Sequence, residues 1–225
     1  MTRTTLLAWT ALVAVTSIVA GAALPAASLL DRWPVLGALV ALAVLAAGRT
    51  VRLPGVHVQV TVSDLYVFCA LFCLPAAAAP IVAFAGTAAA VLGPRARKPS
   101  LRTVFNLAAV PLSASAAAAA FQAVAETPVL SGEGFVGGLV AATVYHAVNL
   151  TLVAIAIRLE AHRPVWNTLR SVGGWTGIAC LTSLVAGAGL ALTITGIGTI
   201  GLVTGAAVTA PLAAYAEKAA AAQAT

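Results

Sequence analysis

Long apolar runs dominate the chain, and short polar breaks separate them. A helix that crosses a membrane needs about 20 predominantly apolar residues, and the runs that reach or approach this length predict six spanning helices. We expect them at Thr5–Ala23, Trp33–Ala47, Leu101–Ala125, Gly134–Arg158, Asn167–Thr193 and Ile197–Glu217. The second run is short, so flanking residues would have to extend it to spanning length. The pattern therefore predicts an all-α integral membrane bundle.

A different pattern fills part of the region between the second and third runs. Valines at every second position from Val56 to Val62 alternate with His57, Gln59 and Thr61. A period of two with β-branched residues is typical of a β-strand. Because a lone strand in lipid would leave its backbone hydrogen-bonding groups unpaired, we expect this short extended segment at the membrane interface or against protein.

Two short apolar helices are predicted after the extended segment. Ser63 is a candidate N-cap for a helix from Asp64 to about Leu74, and a second helix follows from Pro80 to about Leu92. At about 1.5 Å per residue, each covers about 16–20 Å, which is too short to cross a bilayer alone. We therefore interpret the pair as a re-entrant hairpin of two half-helices.

The small number of charged residues excludes whole classes of protein. Of the 225 residues, 8% are charged, and the net charge is +6. A soluble domain carries about 25% charged residues, so these charges cannot coat a soluble globule of this size. The composition excludes a cytosolic enzyme, a nucleic-acid-binding protein and a disordered tail.

The positions of the basic residues predict the orientation of the bundle. With the N terminus inside and alternating crossings, eleven of the twelve Lys and Arg residues fall inside and only Arg32 falls outside. This agrees with the enrichment of Lys and Arg in cytoplasmic loops, provided that both half-helices enter and leave on the same side. We expect one multi-pass domain over residues 1–218 in a cell (plasma or inner) membrane. Both termini are expected in the cytoplasm, with residues 219–225 as a short Ala-rich tail.

The N-terminal 28 residues also have features of a secretory signal peptide. Arg3 precedes an apolar stretch, and small residues follow it near position 25. Because further hydrophobic segments follow without a break, we interpret this part as the first spanning helix, with a signal peptide as the alternative.

Motifs for catalysis, cofactors and metals are missing from the sequence. It contains no G-x-S-x-G elbow, no H-E-x-x-H and no Walker A motif. Three cysteines in apolar runs form no even set for disulfides, and we interpret Cys69, Cys73 and Cys180 as small buried hydrophobic residues. A thiol metal or redox site is the alternative. We predict a protein that is not an enzyme and has no cofactor or metal.

Polar side chains are sparse in the predicted membrane segments, which makes each a candidate functional residue. Tyr145, His146 and Asn149 share one face of a predicted helix, and Asn106 lies near the inner end of another. A ligand-binding or conformational role is one interpretation. The alternative is hydrogen bonding between helices, at about 0.6 kcal/mol per bond.

Asp64 is the acidic residue that lies inside the hydrophobic stretches, away from segment ends. A carboxylate at a broken helix is typical of sites where transporters bind substrates or ions. The alternative is a second capping group beside Ser63, stabilised by the positive end of the helix dipole.

Short motifs around these residues resemble a known family of membrane modules. They are Val60 to Leu74 (VTVSDLYVFCALFCL), the alanine turn and basic loop that follow, Arg102-Thr-Val-Phe-Asn106, and Asn149-Leu-Thr151 with its basic loop. From about Trp33 to Lys218 the chain resembles the vitamin-uptake-like sensor modules found in front of HD-GYP and GGDEF cyclic-di-GMP output domains. Those modules are similar to the S components of energy-coupling-factor transporters.

The resemblance implies a ligand-binding helical bundle, with Asp64, Asn106 and Asn149 at the positions of the family's polar motif. No output domain follows Lys218, so we expect the chain to act through a partner or by transport. Adding the residues singled out above, the candidate ligand-binding residues are Asp64, Asn106, Tyr145, His146 and Asn149.

We therefore expect a non-enzymatic, sensor-like multi-pass membrane protein that binds a small ligand or a membrane partner. The alternative is a transport component, either an S-component-like substrate binder or a small secondary transporter. A purely structural assembly subunit is a third class. The expected partners are the lipid bilayer, a small molecule, and a membrane or cytoplasmic protein, but no nucleic acid.

Overall fold

Seven α-helices and one pair of short strands make up the part of the chain that this computed structural model describes. That part comprises residues 3–26, 29–47, 50–52, 59–93, 100–125 and 131–198. The helices are α1 (Arg3–Ala22), α2 (Trp33–Ala46), α3 (Asp64–Cys73), α4 (Ala78–Leu92), α5 (Leu101–Val124), α6 (Gly132–Ala161) and α7 (Val165–Ile197). Strands β1 (Thr50–Arg52) and β2 (Gln59–Thr61) are antiparallel, with Val51 opposite Val60.

Four stretches of the described helices are long and apolar enough to cross a membrane, and they fall on four predicted spans. They are Thr4–Ala22 in α1, Leu101–Val124 in α5, Gly132–Ala161 in α6 and Thr176–Ile197 in α7. Helix α2 lies at the predicted span Trp33–Ala47, but its 14 residues extend only about 21 Å. The predicted span Ile197–Glu217 lies outside the described residues except for its first two positions. A bundle of membrane-type helices is confirmed, whereas the described part contains four helices of spanning length rather than six.

Both predicted short helices are present as α3 and α4, with 10 and 15 residues. Helix α3 ends at Cys73 because Leu74 is extended (φ −129°, ψ 162°), as expected for the residue before Pro75. Helix α4 begins at Ala78, slightly before the predicted start at Pro80, since proline is tolerated in the first turn of a helix.

The predicted capping role of Ser63 is wrong. Its backbone is helical (φ −61°, ψ −27°), and its side chain makes no cap hydrogen bond. An N-cap normally has an extended backbone, whereas buried Ser63 packs against α4. A Cβ atom added at Gly86 of α4 would lie 3.0 Å from the Ser63 Cβ atom.

Two contacts fix the relative direction of the helices. At one end, Arg32 before α2 donates from Nη1 to the carbonyl oxygen of Cys73 at 3.4 Å. At the other end, Arg102 near the start of α5 pairs with Glu160 near the end of α6. The turn between α3 and α4 therefore lies at the end of the bundle where α1 ends and α2 begins.

Helix α3 lies at the centre of the bundle. Every residue from Leu65 to Leu74 is buried, and α3 contacts α2, α4, α5, α6 and α7. The approach of α7 is especially close, because a Cβ atom at Gly187 would lie 2.7 Å from the Leu65 carbonyl oxygen and 2.9 Å from the Cys69 nitrogen. A helix that is apolar on every face is stable when protein surrounds it completely.

Strand β2 covers the end of the predicted extended segment Val56–Val62. Its backbone partner is β1, which supplies the hydrogen bonds that a lone strand would lack. His57 and the first half of the alternating pattern lie outside the described residues. The extended segment thus lies against protein over Gln59–Thr61.

Candidate functional site at the start of the central helix

Asp64, the first residue of α3, meets Tyr145 of α6. The Tyr145 phenol lies close enough to Asp64 for the two side chains to interact electrostatically. Tyr145 is 3% exposed and lies near the middle of the 30-residue helix α6, whereas Asp64 is half-buried. The fold thus brings together two of the five candidate residues, which are 81 positions apart in the sequence.

The local structure of α3 positions both the Asp64 carboxylate and the Tyr145 ring. Asp64 lies in the first turn, where the unpaired N–H groups of the helix stabilise a negative charge. One turn later, Phe68 packs edge-to-face on the Tyr145 ring, with ring centroids 5.5 Å apart and an interplanar angle of 66°. This aromatic contact holds the Tyr145 hydroxyl group toward the start of α3.

Helix α7 completes the surroundings of Asp64 with a thiol. Buried Cys180 lies close enough to Asp64 for their side chains to interact electrostatically. Its Sγ atom donates to the carbonyl oxygen of Ala142 in α6 at 3.4 Å. A carboxyl group, a phenol and a thiol therefore converge where α3, α6 and α7 meet.

His146, next to Tyr145, is directed to α7. Its imidazole ring lies close to the backbone of Gly173. A Cβ atom at Gly177 would lie 3.4 Å from the His146 Nε2 atom, so glycine allows the ring to approach α7. The half-buried imidazole links α6 to α7 beside the Asp64–Tyr145 pair.

The two candidate asparagines occupy more open positions. Asn149 is half-buried on α6, and Asn106 is exposed on α5. Neither side chain forms a hydrogen bond with another described residue, so the expected hydrogen bonding between helices is not observed for them. Asn106 and Asn149 therefore differ from the Asp64–Tyr145 pair, because neither asparagine side chain contacts another candidate residue through a hydrogen bond.

The three cysteines are free and buried, as the apolar runs around them predict. Cys69 and Cys73 lie one turn apart with their Sγ atoms 4.0 Å from each other, and the Cys73 thiol donates to the Cys69 carbonyl oxygen at 3.0 Å. Among the described residues, no group of three or more His, Cys, Asp and Glu side chains could hold a metal ion.

Two residues that shape this site could not be identified from the sequence. The Phe68 ring fixes Tyr145, but it looks like any other aromatic residue in an apolar run. Gly187 allows α3 to pack closely against α7. In the sequence, however, nothing distinguishes it from the other glycines, of which the chain has 19 in total. A pair of polar side chains that meet across two helices depends on the packing of distant segments, which residue spacing does not specify.

The chain matches no protein-family model, no curated protein and no solved structure. A function must therefore be argued from the geometry around Asp64.

Proposed function

We propose that this chain is a non-enzymatic, multi-pass membrane protein of the sensor-like type, which binds a small ligand at Asp64. The observation that carries this proposal is the close approach of Asp64 at the start of α3 to the buried phenol of Tyr145 on α6. Ionisable residues inside membrane segments are costly to bury, and they mark binding sites or transport pathways by default.

The contact of Asp64 on α3 with Tyr145 on α6 favours a role for Asp64 beyond capping its own helix. A capping carboxylate needs only the N–H groups of its own first turn. Asp64 also interacts with the phenol of Tyr145 on α6, and the thiol of Cys180 on α7 lies within electrostatic range. A ligand that competes for the Asp64 carboxylate would thus act on three helices at once, which is what a sensor requires.

The charge of Asp64 defines the class of ligand. A carboxylate interacts favourably with a positive charge or with several hydrogen-bond donors. We propose a small molecule with an ammonium group or a protonated ring nitrogen, and the phenol of Tyr145 as a second polar contact. This class is in keeping with the resemblance to vitamin-uptake-like modules, which implies a ligand-binding bundle.

Native mass spectrometry of the purified protein tests this function. We expect a retained small molecule in the wild type and at least a tenfold loss of its occupancy in Asp64→Asn and Tyr145→Phe. Ser115→Ala is the matched control, because Ser115 is a buried hydroxyl that bonds within α5. Wild-type protein free of any retained molecule would contradict the proposal. Equal occupancy in all variants would show that Asp64 and Tyr145 serve packing alone.

The topology that accompanies this function is also a proposal. We propose six crossings, a re-entrant hairpin formed by α3 and α4, and both termini in the cytoplasm. It is supported by the length of α3 and by the contact of Arg32 with Cys73, which lies at the turn of the hairpin.

Transport is the second candidate function. The feature that favours it is a carboxylate at the start of a short helix inside the bundle, since transporters bind substrates and ions at such interrupted helices. A transport component of the S-component-like type predicts that an ATPase module co-purifies with the chain and that deletion abolishes uptake of the retained molecule. A sensor predicts uptake that is unchanged by the deletion.

A further inference from the structure

One face of α7 carries large apolar side chains that are exposed in the described part of the chain. Ile178, Leu181 and Val185 lie on this face, because residues three and four apart lie above one another on a helix. They belong to Thr176–Ile197, the stretch of α7 that is long and apolar enough to cross a membrane. This face is therefore suited to contact with the acyl chains of lipids.

Toward the start of α7, the same face ends in a cation and a tryptophan. Trp166 and Arg170 lie one turn apart and are both exposed. Further steps of four residues lead from Arg170 to Gly174 and to Ile178, so the polar and apolar parts form one continuous stripe. Tryptophan is enriched where a membrane helix leaves the hydrocarbon core, because its ring is apolar and its N–H group is polar.

The neighbouring helix α6 indicates where the hydrocarbon core ends. A Cβ atom at Gly173 of α7 would lie 3.1 Å from the side chain of Leu150 of α6. Because α6 and α7 are antiparallel, Trp166, seven residues before Gly173, lies level with Ile157, seven residues after Leu150. Arg158 follows Ile157 and ends the apolar stretch of α6. Trp166 therefore lies at the edge of the apolar layer.

The arginines at this end of the bundle outnumber the carboxylates available to them. Arg158, Arg163 and Arg170 are all exposed, whereas Glu160 is already paired with Arg102. Within the described residues, no carboxylate forms an ion pair with any of the three exposed arginines. Arg170 lies one turn, about 6 Å, further into the apolar layer than Trp166. Because an unpaired cation is costly there, an anion supplied by a ligand would stabilise it.

We propose that this face of α7 binds an anionic phospholipid. Its phosphate group pairs with Arg170 beside the Trp166 ring, and its acyl chains lie along Ile178, Leu181 and Val185. A guanidinium group donates two parallel N–H···O bonds to a phosphate group. A phospholipid without an ammonium group is favoured, because juxtamembrane arginines attract net negative headgroups. This inference uses none of the residues of the Asp64 site and does not depend on the proposed function.

Native mass spectrometry of the full-length protein in detergent tests the headgroup. The protein is titrated with phosphatidylglycerol and with phosphatidylcholine that has the same acyl chains. We expect phosphatidylglycerol to bind about fivefold more tightly, since the arginines attract its net negative charge. Glycerol 3-phosphate, which has no acyl chains, should not compete. Equal binding of the two lipids, or competition by glycerol 3-phosphate, would overturn the proposal.

A matched pair of variants separates this site from the overall charge of the protein. Arg170→Gln should lower the affinity for phosphatidylglycerol to that for phosphatidylcholine. Arg32→Gln is the control, because Arg32 is an exposed arginine at the opposite end of the bundle, and the preference should persist there. Arg170→Lys keeps the charge but loses the fork of donors, so we expect an intermediate affinity. A preference that survives in Arg170→Gln, or one that Arg32→Gln abolishes equally, would overturn the proposal.

Photocrosslinking in vesicles tests the position of the acyl chains. A phosphatidylglycerol with a diazirine on one acyl chain should label the peptide that contains Ile178 and Val185 several-fold more than the matching phosphatidylcholine does. The exposed face of α1 around Ile18 is the internal control, which both lipids should label equally. Absence of labelling on α7 would show that another part of the chain covers this face, and equal labelling by the two lipids would show ordinary boundary lipid. Either result would overturn the proposal.

Discussion

The guanidinium group of Arg102 forms a bidentate ion pair with the carboxylate of Glu160. The Nη2 atom lies 2.7 Å from Oε1, and the Nε atom lies 3.1 Å and 3.0 Å from Oε1 and Oε2. The pair joins the start of α5 to the end of α6, 58 residues later in the chain. It therefore fixes the register of two antiparallel neighbours at one end of the bundle.

Breaking this pair should cost little stability. The side chains of Arg102 and Glu160 are 76% and 41% exposed, and exposed ion pairs contribute about 0.2–1 kcal/mol. We expect Arg102→Ala and Glu160→Ala each to lower the free energy of unfolding in detergent by an amount in this range, the bidentate geometry favouring the upper end. A double-mutant cycle measures the coupling, which should shrink as salt is added because salt screens surface charges.

The charge-swapped double variant is the control for this pair. Arg102→Glu combined with Glu160→Arg should recover most of the coupling, since the same two charges face each other. A coupling energy of zero in low salt would show that the ion pair does not exist in solution.

Gly187 should be the least replaceable glycine of α7. An alanine there would place Cβ within 3 Å of backbone atoms of Leu65 and Cys69, and backbone cannot move aside as a flexible side chain can. We expect Gly187→Ala to destabilise the protein by about 1–3 kcal/mol, as overpacking of a core does. Thermal unfolding in detergent measures this change.

Gly189 supplies the matched control on the same helix. It is exposed, and a Cβ atom there meets nothing within 4 Å. Gly189→Ala should stabilise α7 by about 0.5–1 kcal/mol, because alanine loses less backbone entropy in a helix than glycine does. Equal effects of the two substitutions would mean that α3 and α7 do not approach each other as closely as the structure shows.

The positions of the helices could be predicted because apolar length and local stop signals determine them. Leu101 begins α5 as predicted, where Ser100 accepts a hydrogen bond from the Thr103 backbone. Helix α6 runs three residues past the predicted end at Arg158 and stops at the left-handed His162 (φ 55°). Apolar length marks the part of a helix that fits in lipid, whereas the helix itself continues until its backbone is interrupted.

The contacts of the site could be predicted only in part. The rarity of polar residues in apolar segments singled out Asp64 and Tyr145 separately, because burying such groups is costly. Their close approach depends on how α3 packs against α6, and the same rarity also singled out Asn106, which is exposed. Polarity identifies candidates, but tertiary packing decides which of them meet.

The buried thiols give a direct test of the core. Cys69, Cys73 and Cys180 are all free and buried, so a water-soluble maleimide should label none of them in the folded protein. Denaturation should expose all three, and intact-mass spectrometry then counts three added groups. Ser100→Cys, an exposed position, is the control that must react in the folded state. Labelling of Cys69 or Cys73 before unfolding would show that α3 is not enclosed by the other helices.

Single cysteines at opposite ends of the bundle test the proposed orientation. In a background without native cysteines, Ser100→Cys lies before α5 and Glu133→Cys lies in the first turn of α6, and both positions are exposed. The contact of Arg102 with Glu160 places the start of α5 at the same end as the far end of α6. The proposed crossing by α5 therefore predicts that Ser100 and Glu133 face opposite sides of the membrane.

An impermeant maleimide applied to intact cells should label Glu133→Cys and leave Ser100→Cys unlabelled until the membrane is opened. The physical reason is the excess of Lys and Arg in the loops predicted on the side of Ser100, since Lys and Arg are enriched in cytoplasmic loops. The reverse pattern would place the basic loops outside and overturn the proposed orientation. Labelling of both sites from outside would contradict the proposed crossing of the membrane by α5, which separates Ser100 from Glu133.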